Sequence, residues 1–207
     1  MQFLRDARYT LHVAFHPFDG FWDLKYEERG RLRIALSILL AVTLTMILKR
    51  QFSGYVVNFN HPLELNSINE LKYIIIPFLL WCVANWSLTT LMDGEGKFRE
   101  IVIATGYAMM PLILVYVPNM LLSNVITLRE ASFYYVLETV AYLWFIWLLF
   151  IGTMTVHQYT VLKTIWTMLL TLVVIGVMIF LGLLFFSVIQ QFVSFVYTIY
   201  QELTLRR

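Results

Sequence analysis

Apolar positions along the chain gather into five long runs, each bounded by charged or turn-forming residues. The runs are 32–48, 71–92, 101–126, 133–156 and 164–189, and the last is the most apolar. A helix that crosses about 30 Å of hydrocarbon needs ~20 mostly apolar residues, and each run is of that order. None shows the ten-residue alternation of a barrel strand. Lipid cannot satisfy backbone N–H groups, so a continuous apolar run there is helical. The expected fold is therefore all-α: a polytopic membrane bundle of five transmembrane helices.

The pattern changes at both ends. Leu4, Ala7, Leu11, Ala14 and Phe15 recur at helical spacing beside Arg5, Arg8 and His12. Residues 1–30 are thus expected to form a cytoplasmic amphipathic segment lying in the interface, interrupted at Pro17 and Asp19-Gly20. Phe21, Trp22 and Leu24 begin a second short apolar face. At the other end Phe192, Phe195, Val196, Ile199 and Leu203 form a stripe opposite Gln190, Gln191, Ser194 and Glu202. Residues 190–207 are read as an amphipathic interfacial helix or as a continuation of the last span. That leaves 31–189 as the membrane domain. Between the first two spans, "GYVVNFNHPLELN" suggests a small hairpin turning at Asn60-His61-Pro62.

Composition agrees with a membrane chain. Of 207 residues 60% are apolar and 14% charged, and mean hydropathy is +0.73. Soluble domains carry about 25% charged residues. The net charge of +2 is dispersed and makes no patch for nucleic acid. The N-terminus reads as no signal peptide, because Arg5, Asp6 and Arg8 interrupt any apolar core. Lys and Arg near the span ends set orientation. Arg5, Arg8, Lys25, Arg29, Arg31 and Arg33, then Lys97 and Arg99, then Lys163, share one side. Lys49, Arg50, Lys72, Arg129, Arg206 and Arg207 share the other. The first side is expected to be cytoplasmic, with the C-terminus outside.

Candidate chemistry is sparse. Gly94-Glu95-Gly96-Lys97 is no phosphate loop, since Phe98 follows the lysine and a membrane span, not a strand, precedes it. It reads as a chain reversal in which Gly94 and Gly96 supply positive φ. Glu100 then favours the start of the next helix. Pro111 and Pro118 should free the carbonyls of Tyr107 and Leu114 and kink the third span, as Pro77 does the second. Tyr107, Pro111, Leu114 and Pro118 form one stripe with Gly106 beside it. Glu138 is the one acidic residue inside a run, so it should face protein or water, paired with Arg129, Lys72 or a tyrosine. Asn85 in the second span, and Asn119 with Ser123 in the third, are expected to bond between helices. Gly152, Gly176 and Gly182 are read as close helix contacts. Cys82 lies within a run, and four scattered histidines show no ligand spacing, so neither metal nor cofactor is expected.

"LTTLMDGEGKFREIVIATGYAMMPLIL", from Leu88 to Leu114, resembles the core signature of the Yip1 family: a glycine turn with basic residues, then a helix bearing G-Y-x-x-x-P, here Gly106-Tyr107 to Pro111. "HPFDGFWDLKYEERGR" resembles the lead-in of bacterial members. The resemblance implies a five-helix bundle with a cytoplasmic N-terminus in a bacterial cytoplasmic membrane. It implies no chemistry and no catalytic residue. The D-L-Y-G-P element and longer N-terminal region of Rab-binding relatives are missing, so a Rab-type GTPase is not the expected partner. The expected partners are the lipid bilayer and another integral membrane protein, such as an ABC-type transporter that this chain serves as scaffold or accessory subunit. The alternative is a small transporter or channel using the kinked spans two and three.

Overall fold

The computed structural model describes residues 2–58 and 66–205, without the side chains of 2–7, 203 and 205. It contains α1 (Gln2–Phe15), α2 (Pro17–Tyr26), α3 (Leu32–Phe52), α4 (Ser67–Leu91), α5 (Phe98–Ala108), α6 (Met110–Leu122), α7 (Ala131–His157) and α8 (Val161–Leu205), with no strand among the described residues. Five helices are long and apolar enough to cross a membrane: α3, α4, α5–α6 as one span, α7 and α8. Successive spans alternate direction. One end of the bundle therefore carries Arg31, Lys97 and Lys163, and the other Lys49, Arg50 and Glu70.

Local chemistry sets the helix ends. Asn66 caps α4 by accepting from the Ile68 N–H at 3.0 Å. Lys97 opens α5, and the Glu100 carboxylate accepts its backbone N–H at 3.1 Å. α7 closes at Gln158, which takes the left-handed conformation at φ 53°. The third span changes helix at Met109, whose N–H bonds the Gly106 carbonyl at 3.2 Å. Pro111 falls in the first turn of α6, where a missing N–H costs nothing. The expected proline stripe is therefore split: Tyr107 and Pro111 are buried, while Pro118 faces outward. The third span also ends at Leu122, short of the expected Ile126, because 123–125 turn.

The core lies where α3, α5–α6 and α7 pack together, with α4 beside them and α8 at the edge against α4. Gly106 permits a close crossing of α5 with α3. A Cβ there would stand 2.7 Å from Ala35 Cβ and 3.0 Å from the Ala35 backbone. Gly54 likewise brings the end of α3 onto α6: its N–H donates to Ser123 Oγ at 2.8 Å. Gly54–Asn58 form a turn, and the rest of the expected hairpin, with Asn60-His61-Pro62, lies outside the described residues. Gly176 and Gly182 touch nothing, which corrects their reading as helix contacts, and Gly152 meets Phe21 of α2 instead of another span.

The N-terminal helices do not lie flat. The Trp144 indole N–H donates to the Ala14 carbonyl at 3.2 Å. Phe21 lies against Gly152, and Lys25 Nζ donates to the Val156 carbonyl at 2.8 Å. These pairs are 130 or 131 residues apart, so α2 stands in register beside α7 and runs the same way. From Val156 to Trp144 that is about 18 Å of α7 at 1.5 Å per residue. α1 folds back at His16: Val13 packs on Gly20, and the Tyr9 hydroxyl reaches Asp23 at 3.0 Å. At the other terminus α8 runs unbroken through Gln190 and Gln191, so the C-terminal stripe continues the last span.

Gly106→Ala should destabilise the protein by about 1–3 kcal/mol through overpacking at Ala35. Ala35→Gly in the same chain should recover part of that loss. Thermal unfolding of the purified proteins in one detergent checks both.

Candidate functional site

Two polar clusters occupy opposite ends of the bundle. The first gathers round the turn after α4. Gly96 donates its N–H to His157 Nδ1 at 3.3 Å, and His157 Nε2 lies 3.0 Å from Asn85 Oδ1. With Nδ1 accepting, Nε2 carries the proton and donates to Asn85. The Asn85 amide then donates to Thr171 Oγ1 at 3.4 Å, and Thr171 donates to the Thr167 carbonyl at 2.7 Å. This chain of donors and acceptors ties the α4–α5 turn to α7, α4 and α8 in one direction. Asn85, His157, Thr167 and Thr171 are all buried. Beside Asn85 and His157 lies a chamber of about 10 Å³, which also touches Thr105 and Thr153. That is room for about one water.

The glycines of this turn act differently from expectation. The positive φ belongs to Asp93, at 54°, and among the described residues no glycine has one. Gly94 and Gly96 are needed for space. A Cβ on Gly94 would stand 2.6 Å from the Tyr159 hydroxyl, and one on Gly96 2.5 Å from Val156 Cγ1 and 2.6 Å from the His157 ring. The Tyr159 hydroxyl donates to the Met92 carbonyl at 3.0 Å. Burial first, then the nearby Asp93 carboxylate, raises its pKa, so it stays a donor. Lys25 closes the cluster from α2, 3.6 Å from Glu95, which also accepts from the Gln158 amide.

The second cluster sits at the far end of α3. Lys49 pairs with Glu138 of α7, and Arg50 pairs with Glu70 of α4. This corrects the expectation of Arg129 or Lys72 for Glu138, while the expected tyrosine is present as Tyr134, whose hydroxyl bonds the Glu138 carboxylate. Lys49 Nζ also lies 4.6 Å from the Tyr116 ring centre and 5.9 Å from that of Tyr134. An open cleft of about 290 Å³ runs past Lys49, Arg50, Ser53, Glu70, Tyr134 and Glu138. The last turn of α3 thus holds two neighbouring spans by charge. Nearby, Asn119 donates to the Tyr134 carbonyl at 3.1 Å.

Of the candidates, Asn85, Gly94 and Gly96 come together in the first cluster, and Glu138 joins the second. Gly106, Tyr107 and Pro111 lie in the packed seam between α3 and α7. The Tyr107 hydroxyl sits 3.5 Å from the Arg31 backbone N–H, at the start of α3. Sequence reasoning missed His157, Lys25 and Lys49. Lys49 and Glu138 carried a usable signal: opposite charges at matching depth, one just past the end of the first apolar run and one near the start of the fourth. His157 carried none, since 72 residues separate it from Asn85.

Five membrane-length helices, a polar cluster at each end and a packed apolar seam between them define an integral membrane protein of α-helical bundle type. The chain belongs to the Yip1 family: the family model described as the Yip1 domain matches residues 11–200. Neither the curated proteins nor the solved structures compared with it contain a match.

Two outcomes follow from the clusters. Glu138→Ala leaves Lys49 without its carboxylate and should cost about 3 kcal/mol, the low end for a broken buried pair, because the cleft admits some water. Replacing the pair together, Lys49→Met with Glu138→Leu, should restore most of the loss. Asn85→Ala and His157→Ala should each cost about 1–3 kcal/mol by stranding a buried partner, and the double variant should cost far less than their sum. Unfolding midpoints in detergent read both series.

Proposed function

We propose that this protein is a non-enzymatic scaffold or accessory subunit that binds another integral membrane protein complex, a transport system of the ABC type being the partner put forward. The reading places it in a bacterial cytoplasmic membrane, with the Lys97 end in the cytoplasm and the C-terminus outside. The excess of lysine and arginine at the Lys97 end supports that orientation. The Yip1 family is a non-catalytic membrane family, which supports the non-enzymatic reading.

The observation that carries the binding role is the length of α8. Its 45 residues extend about 67 Å at 1.5 Å per residue. A bilayer with its headgroups is about 40–45 Å thick. The last turns of α8 therefore lie beyond the membrane. They expose Phe192, Phe195, Val196 and Ile199 among the described residues. Apolar side chains in water need cover, and another protein supplies it.

The cleft at Glu138 favours a second reading, a small transporter or channel. A passage would have to join it to the Asn85 chamber. Glu138 and His157 are 19 residues apart, or about 28 Å along α7, and the packed residues Ala141, Leu148 and Ile151 lie between them.

The test is a pull-down of the tagged protein from its native membrane in a mild detergent, with co-purifying chains identified and counted. The full chain should bring down a stoichiometric membrane complex, and a chain ending at Gln191 should lose it. A full-length protein that emerges alone would overturn the accessory role. Transport assays with Glu138→Gln would then decide the second reading.

A further inference from the structure

We propose that the exposed face of the α1–α2 hairpin is a contact surface inside the membrane for a second copy of this chain, centred on His12, His16 and Asp19. This goes beyond the accessory role and does not depend on it.

The first support is depth. α2 stands in register with α7, with Lys25 at Val156, Phe21 at Gly152 and Ala14 at Trp144. The bend at His16 therefore lies deep beside α7. The neighbouring stretch of α7, Trp144 to Val156, holds no charged residue and belongs to a span. The hairpin enters the hydrocarbon from the Lys97 end and turns back within it.

The second support is what the hairpin shows there. Its inner face buries Thr10, Val13, Ala14, Phe21 and Leu24 against the bundle. Its outer face exposes His12, His16 and Asp19. The two imidazoles stack with ring centres 4.9 Å apart. Around them stand Phe15 at 62% exposure, Phe18 at 55% and Trp22 at 56%. Ionisable side chains at membrane depth face protein or water, because lipid leaves them unsolvated. Large exposed aromatic side chains such as these are the usual anchors of protein interfaces.

The third support selects the occupant. The patch carries both a carboxylate and two groups able to take a positive charge, so it complements itself. Two copies inserted the same way are related by a two-fold axis along the membrane normal, which brings together residues of equal depth. Val13 lies against Gly20 and Tyr9 against Asp23, so the hairpin sets His12 level with Gly20 and Phe21, about 3 Å along the axis from Asp19 and within side-chain reach of that depth. His12 of each copy then meets Asp19 of the other. Anionic lipid fits less well, because Asp19 repels its phosphate.

The test uses Phe18→Cys in a Cys82→Ala background, oxidised in native membranes. Cys82 is the chain's only cysteine. Phe18→Cys leaves His12, His16 and Asp19 in place. A disulfide-linked dimer of this chain is expected. Asp19→Lys should remove most of it, and exchanging the charges with His12→Asp and Asp19→His should bring it back. A chain that stays monomeric, links only to a different polypeptide, or dimerises equally well with Asp19→Lys would overturn the proposal. The pull-down through α8 reads a separate surface, so either idea can fail while the other stands.

Discussion

Hydrocarbon offers no hydrogen bonds, and this bundle is arranged around that fact. Each polar side chain drawn into its interior must find a partner on another helix or on its own backbone. The Asn85 side chain does the first, receiving from His157 and donating to Thr171, and the Thr89 hydroxyl does the second, donating to the Asn85 backbone carbonyl. Seven buried threonines, from Thr43 and Thr45 on α3 to Thr164, Thr167 and Thr171 on α8, turn their hydroxyls back to carbonyls four residues earlier. Between the polar ends the spans meet chiefly through apolar packing, which is why the missing Cβ of Gly106 matters at its crossing with Ala35.

The two polar ends hold the bundle in different ways. Near Lys97 the bonds are mostly neutral and directional, and they run through a turn, so they set the geometry of four chain segments at once. Near Lys49 the bonds are ion pairs facing an open cleft. Such pairs tolerate changes of angle and are weakened where water reaches them. One end is a fixed joint and the other a charged clasp. A further carboxylate, Glu130, marks the approach to α7 on that side. The Thr127 backbone N–H and hydroxyl both donate to it, and these bonds hold its carboxyl below the usual range.

How much of this could be read from the sequence depends on the range of the interaction. The spans were legible because a membrane imposes its demand locally, over about twenty consecutive residues. The turn at Gly94 and Gly96 was legible in place but not in cause. Two glycines suggest backbone freedom, whereas Asp93 takes the left-handed conformation and the glycines make room for His157 and Tyr159. The hairpin of α1 and α2 was legible as amphipathic helix and no further. A helix lying on a membrane and one standing against a neighbour show the same 3.6-residue period. Partners 72 or 89 residues apart, such as Asn85 with His157 or Lys49 with Glu138, leave no local trace unless both carry charge.

The unbroken course of α8 also makes the protein sensitive to the thickness of the membrane around it. Fitting the apolar stretch Val161–Glu202, 42 residues, wholly inside a ~30 Å hydrocarbon layer would need a tilt of about 60°, well beyond the ~40° limit of ordinary spans. Tilting cannot hide it, so the bilayer decides where α8 emerges. A layer thicker by about 5 Å would draw in roughly three more residues at 1.5 Å each, nearly one turn. Which aromatic side chains the helix presents outside is therefore set jointly by its sequence and by the lipid.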